Sequence, residues 1–267
     1  MYQTIGLIGT GNMGSAIVRA AAKSGLAGTI LLANRTLAKA EALAAELPGA
    51  ALSSNEEIAR AARLIFLGVK PQMTQLVLDP LAPILREREE RFVLVTMAAG
   101  LSCERVRDMV DLNCPVIRMM PNTPAAIGAG VVQYCGRGVT VEELDDFAAL
   151  LSPAGLVDQV PEGLMDAASA VSGCGPAFAY LFLEALADGG VACGLPRDKA
   201  VAYAARMVEG AARMVLESGK HPGELKDAVC SPGGTTIQGV RALEERGFRA
   251  AAMDAVIAAY EKTLKLR

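Results

Sequence analysis

Residues Gly9-Thr10-Gly11-Asn12-Met13-Gly14 follow a short apolar run and open an Ala-rich stretch. A G-x-G-x-x-G between a strand and a helix is the arrangement that seats a dinucleotide pyrophosphate. Gly9 permits a tight turn, Gly11 lets a pyrophosphate approach the backbone, and Gly14 allows close helix–strand packing. Asn12 and Met13 share the turn, where a helix start offers unpaired N–H groups to phosphate. About twenty residues further on stand Asn34-Arg35-Thr36. A site for NAD carries an acid there, on the ribose 2′-hydroxyl. Here a guanidinium lies between an amide and a hydroxyl, a set that matches the 2′-phosphate of NADP. Arg35 alone also fits a solvated loop. Asn55 can contribute from the end of the next strand.

A second cluster lies far along the chain, at Ser231-Pro232-Gly233-Gly234-Thr235-Thr236. Gly233 and Gly234 allow unusual backbone angles. Thr235 and Thr236 open a helix whose N–H groups and dipole favour an anion, a ready carboxylate seat. By itself the turn also reads as a plain helix start. The groups that are missing narrow the chemistry. A ketone or alcohol needs a proton relay, usually His or Lys. The single histidine, His221, sits in a turn at Lys220-His221-Pro222-Gly223, and no lysine occurs between Met165 and Asp198. A protonated imine is already electrophilic, so hydroxyls and backbone amides suffice to hold and orient it.

The elements that position these residues follow from hydrophobic periodicity. Strands are expected at residues 4–8, 29–33, 64–69, 92–97 and 116–120, with edge strands at 131–134 and 156–160. Helices are expected at 11–23, 37–47, 56–62 (capped by Asn55), 103–110 (capped by Ser102) and from the capping box at Thr140-Val141-Glu142-Glu143 to Leu151. This alternation predicts an α/β, Rossmann-type doubly wound sheet domain over residues 1–163. Beyond it the period changes. Helices at 176–193, 197–217, 235–245 and 250–266 predict an all-helical domain over 164–267. The 176–193 helix is apolar nearly all round, which predicts burial on all sides. A domain of that size can hardly supply the cover, so a partner subunit is expected, the alternative being a monomer in which the sheet domain covers the helix.

The balance of the chain excludes several classes. Net charge is -3, with no concentrated basic face for nucleic acid or an anionic membrane. The run from Arg86 to Arg91 alternates in sign and reads as a solvated helix end. No window approaches about 20 uninterrupted apolar residues, so no membrane span is expected, nor a secretory signal. Six cysteines lie scattered without a CxxC pair, which points to buried thiols in a reducing, cytoplasmic compartment rather than disulfides or metal ligands.

The set of motifs resembles the pyrroline-5-carboxylate reductase family. Beside the Ser231–Thr236 segment stand Val69-Lys70-Pro71, Met97-Ala98-Ala99-Gly100, Arg118-Met119-Met120-Pro121-Asn122-Thr123-Pro124 and Ser172-Gly173-Cys174-Gly175-Pro176-Ala177, in the family's order across nearly the whole chain. Cys174 and Cys230 stand where small or hydroxyl residues would also serve. The resemblance implies hydride transfer from NADPH, with NADH at lower affinity, to the C=N bond of 1-pyrroline-5-carboxylate, making proline. It implies that Ser231, Gly234, Thr235 and Thr236 hold the substrate carboxylate, with the Thr236 hydroxyl near the imine nitrogen. Val69, Lys70, Pro71, Ala98 and Asn122 would line the ribose and nicotinamide end of the cofactor. It also implies that the helical domains of two subunits interlock, giving a homodimer or larger homo-oligomer in which the neighbour contributes to the active site. Rival expectations are an NADP-dependent reductase of another cyclic imine or a β-hydroxyacid, a non-catalytic NADP sensor, and a metal-dependent reductoisomerase using Glu184 and Asp188.

Overall fold

The computed structural model describes residues 2–266. The chain forms two compact units. One comprises the chain up to Cys174 together with the segment from Ala259 onward; the other is Gly175–Ala258.

The first unit alternates strands and helices: β1 (Tyr2–Ile8), α1 (Asn12–Lys23), β2 (Ala27–Ala33), α2 (Leu37–Glu46), β3 (Ala50–Leu52), α3 (Asn55–Ala61), β4 (Leu64–Leu67), α4 (Pro71–Leu78), α5 (Ala82–Arg86), β5 (Val93–Thr96), α6 (Cys103–Val110), β6 (Val116–Pro121), β7 (Gly130–Arg137), α7 (Val141–Leu151), β8 (Gly155–Gln159) and α8 (Met165–Ser172). The strands form one sheet in the order β3-β2-β1-β4-β5-β6-β7-β8. All neighbours are parallel except β6 and β7. Strand order reverses between β1 and β4, the switch point at which doubly wound sheets bind ligands. β7 is an interior strand, not the expected edge; β8 takes the edge.

Alternation along the strands sends side chains to two apolar layers. Ile5, Leu7, Leu64, Phe66, Val93, Val95, Ile117 and Met119 join one cluster. Ile8, Ile65, Leu67, Leu94, Val116 and Met120 join the other. Caps fix the helix starts. Ser102 accepts from the Arg105 N–H, and Thr140 with Glu143 closes the expected capping box. At α3 the cap is Ser54 rather than Asn55. Ser54 and Glu57 have the capping-box spacing, and both reciprocal bonds form, which moves Asn55 into the helix.

The charge run after α5 is only partly solvated. Arg88 donates to the Ala59 and Ala62 carbonyls at 2.8 and 2.9 Å, serving the end of α3. Arg91 and Arg63 both clamp Glu143, at 2.8 and 2.6 Å. The first unit also runs past Gly163, where the sequence suggests a boundary, because α8 is built into the sheet. Met165 is fully buried, Asp166 pairs with Arg118 out of water, and Ser172 bonds Gln133 and Asn122.

The second unit holds α9 (Gly175–Ala192), α10 (Arg197–Ser218), α11 (Pro222–Ala228), α12 (Thr235–Glu245) and the start of α13 (Phe248–Leu264), whose end belongs to the first unit. α9 and α10 pack on each other. The Phe182 and Phe248 rings lie 5.6 Å apart. Within the single chain α9 is not buried on all sides: Ala187 is its one buried residue. The helical stretch Glu162–Ala192 is long and apolar enough to cross a membrane, by length and composition only.

Candidate active site

The first-unit candidates gather at one edge of the sheet, on loops that leave the carboxyl ends of its parallel strands. Gly9–Gly14 follow β1, Asn34–Thr36 follow β2, Asn55 follows β3, Val69–Pro71 follow β4, Ala98 follows β5 and Asn122 follows β6. Sequence separation is thus converted into proximity by parallel pairing.

The glycines of the first turn divide their roles by geometry. Gly9 has φ +105°, and a Cβ there would come within 2.6 Å of the Gly68 carbonyl oxygen. A Cβ on Gly14 would stand 2.4 Å from the Gly9 oxygen and 3.2 Å from Leu7, so Gly14 sets the contact between α1 and β1. Gly11 is different: nothing lies within 4 Å of its Cβ position. It is the N-cap of α1 and brings no side-chain bond, so the first-turn N–H groups remain for an external acceptor. The buried Thr10 hydroxyl oxygen has no hydrogen-bond partner among the described residues. An orphaned buried hydroxyl, free N–H groups and open space before Gly11 fit a bound pyrophosphate. Asn12 is exposed and Met13 half-buried at this turn.

Asn34 does more than flank Arg35. Its Oδ1 accepts from the Thr10 N–H at 3.0 Å and its Nδ2 donates to the Thr36 carbonyl at 2.9 Å. It therefore clasps the two loops together. Arg35 and Thr36 are exposed, and Arg35 has no ion-pair partner among the described residues. Asn55 is half-buried. Lys70 is the exposed N-cap of α4, with Pro71 at the first helical position, where a missing N–H costs nothing. Val69 packs beside Gly9. The Ala98 N–H is held by the Thr96 hydroxyl at 3.2 Å. The Asn122 side chain is committed within the unit, donating to Ser172 O at 3.0 Å and accepting from Val131 N at 2.9 Å. It shapes the loop after β6 from beneath. Thr10 and Gly68 are positions of this turn that pattern reading passes over; the spacing of the motif leaves Thr10 unspecified.

In the second unit, Ser231–Gly234 form a β-turn. The Gly234 N–H donates to the Ser231 carbonyl at 3.0 Å and Gly233 has φ +68°. Proline then glycine at its central positions is the type II signature. A Cβ on Gly234 would stand 2.3 Å from the Ser231 hydroxyl oxygen, so only glycine lets that hydroxyl fold over the helix start. Gly234 is the N-cap of α12 and gives no side-chain cap; Thr235 and Thr236 fill the first two helical positions, both exposed. The result is a helix N-terminus with free N–H groups and three hydroxyls around it, the chemistry of a carboxylate seat. His221 lies apart as the N-cap of α11, its Nδ1 accepting from the Gly223 N–H at 3.1 Å. Of the carboxylates that a metal-dependent reaction would need, Asp188 is paired with Arg197 at 2.5 Å.

Comparisons with known proteins find a match in each part of the chain. Residues 162–266 match the model of the pyrroline-5-carboxylate reductase dimerisation domain, and residues 4–100 that of coenzyme F420-dependent NADP oxidoreductases. The pyrroline-5-carboxylate reductase of Pisum sativum is 41% identical over 265 residues, covering 98% of this chain and 96% of its own. That of Escherichia coli (strain K12) is 40% identical over 269 residues, covering 100% and 99%. The crystal structure of the Plasmodium falciparum enzyme with NADP bound superposes with a TM-score of 0.86 at 31% identity, covering 99% of this chain and 98% of that one. Likeness at this level spans nearly the whole chain, and on that ground the chain belongs to the pyrroline-5-carboxylate reductase family.

Proposed function

We propose that this chain reduces 1-pyrroline-5-carboxylate to proline with NADPH. The observation that carries the reading is the glycine turn at the sheet switch point, with the acid-free Asn34-Arg35-Thr36 loop after β2. Bound there, NADPH supplies a hydride. The first-turn N–H groups of α1 hold the pyrophosphate, and Arg35 with Thr36 holds the 2′-phosphate. Val69, Lys70, Pro71 and Ala98 line the ribose and nicotinamide end, with Asn122 shaping the wall.

The Ser231–Thr236 turn holds the substrate carboxylate. The Thr236 hydroxyl hydrogen-bonds the ring nitrogen, where the proton of the iminium stays as the carbon accepts the hydride. No side chain need donate a proton at carbon, which suits a site of hydroxyls and backbone amides.

The working form is a homodimer or a larger assembly of dimers, acting in the cytoplasm on a small carboxylate substrate. Support for the assembly is the apolar surface that the helical unit leaves uncovered: Tyr180, Leu181, Tyr203, Met207 and Met253 are each more than half exposed. The apolar stretch Glu162–Ala192 falls within the segment matched by the dimerisation model. Subunit contact is accordingly its role.

The test is NADPH oxidation by the full chain in the presence of pyrroline-5-carboxylate, with proline quantified. One proline per NADPH is expected, and Arg35→Ala should raise the NADPH KM about tenfold or more while leaving NADH turnover alone, as for a charge-assisted bond. NADPH binding without proline formation would overturn the substrate assignment and leave the cofactor site standing.

A further inference from the structure

Three residues distant in sequence meet on the side of the sheet covered by α6. Cys103 is the first residue of α6, Cys135 lies on β7 opposite Arg118 of β6, and Glu162 precedes α8. Their two sulfurs and one carboxylate oxygen all lie within 4.8 Å of one another. Both cysteines are buried and Glu162 is half-buried.

The cluster is held rather than incidental. Glu162 Oε1 accepts from the Cys103 N–H at 2.7 Å, which fixes the carboxylate beside the thiols. The Cys103 and Cys135 thiols share a hydrogen bond, which together with burial pushes the Cys103 thiol up and, against burial, holds the Cys135 thiol down. A cleft of about 320 Å³, lined by Cys135, Gly136, Gln159, Val160, Pro161 and Glu162, gives access from solvent.

We propose that Cys103, Cys135 and Glu162 form a binding site for a soft divalent cation of the zinc type. Ligands about 2.3 Å from such an ion stand roughly 3.8 Å apart in a tetrahedron, so the three atoms need to close by only about 1 Å. Two thiolates select a soft ion over magnesium or calcium. Three protein ligands leave the fourth position for water from the cleft. Two thiolates and a carboxylate around a dication leave one negative charge, which the dipole at the α6 N-terminus favours. The ion would tie α6, β7 and the segment leading into α8, a stabilising role independent of the proposed reaction. The lack of a CxxC pair conceals the set in the sequence, because each ligand comes from a different element.

The test uses the full chain, reduced and freed of metal, titrated with Co²⁺ and followed by sulfur-to-cobalt charge-transfer absorption. Binding of about one ion per chain is expected, with displacement by Zn²⁺ and a higher Tm when loaded. Cys135→Ser should abolish the absorption, Glu162→Gln should weaken binding at least tenfold, and Cys193→Ser should change neither. NADPH binding by each variant checks folding, and Glu162→Gln keeps the question decidable if a cysteine variant misfolds. Absence of the absorption, or its persistence in Cys135→Ser, would overturn the proposal. So would failure to bind cobalt with the two thiols recovered as a disulfide.

Discussion

The sheet unit and the helical unit are similarly rich in alanine and leucine, yet they solve burial differently. The first closes two apolar layers with its own elements; Ile5, Leu7, Phe66, Leu94 and Phe147 are fully out of water. Among residues 175–258, three alanines, Ala187, Ala200 and Ala204, are the buried positions. A parallel sheet covered on both faces is a complete object. A set of apolar helices without a second layer is not. Covering one large apolar side chain contributes about 1.5–3 kcal/mol. Half a dozen of them match the roughly 4–15 kcal/mol that association costs. The contrast teaches that the sheet unit covers its own apolar surface, whereas the helical unit leaves its apolar surface open, as the proposed assembly requires.

The sharpest way to break this comparison is a charge on the uncovered face. Leu181 is 69% exposed in the single chain. Leu181→Asp should give monomers by sedimentation and lose nearly all turnover while keeping NADPH binding. A fully active monomer would sink the dependence of the helical unit on its partner. A comparably large effect, confined to the sheet unit, comes from its two glycines of opposite surroundings. Gly14→Ala drives a methyl group onto the Gly9 carbonyl, so both folding and cofactor binding should suffer. Gly11→Ala meets no protein atom, so the Tm should hold while NADPH affinity falls at least tenfold. Equal Tm losses in the two variants would show that Gly11 has a packing role instead.

A smaller effect is expected from Glu143, which joins α7 to Arg91 and Arg63. The Arg91 hydrogen bonds, then the Thr140 N–H, hold its carboxyl below the ordinary range against the opposing effect of burial. A carboxyl depressed in the folded state stabilises the fold above the ordinary carboxylate pKa of about 4.3 and loses that contribution as pH falls through the depressed value. Glu143→Gln should therefore cost about 2 kcal/mol at neutral pH. The gap from the parent should narrow in denaturant titrations below about pH 4. A gap that stays constant with pH would mean that the charge is not what matters.

Much of this was legible because the signals were local. Apolar β-branched runs marked β4, β5 and β6, and the Thr140 capping box marked α7 to the residue. The strand before Asn55 could be given no bounds because Ala50–Leu52 carries neither length nor β-branching. α8 was invisible as part of the sheet unit because Arg118 and Asp166, the buried pair that anchors it, are 48 residues apart. The positioning roles of Asn34 and Asn122 were hidden for the same reason: an amide's partners are not written in its neighbours. The glycine turns were legible in type. The motif spacing already separates a packing Gly14 from an open Gly11, and the fold adds the distances: a Cβ 2.4 Å from the Gly9 oxygen at Gly14 and nothing within 4 Å at Gly11.

The central claim is that the Ser231–Thr236 turn seats the imine for reduction, and steady-state kinetics of Thr236→Ala with pyrroline-5-carboxylate tests it most directly. The account predicts a fall in kcat/KM of about a hundredfold, as for loss of one preorganised donor, with NADPH affinity unchanged. An unchanged kcat/KM would contradict it.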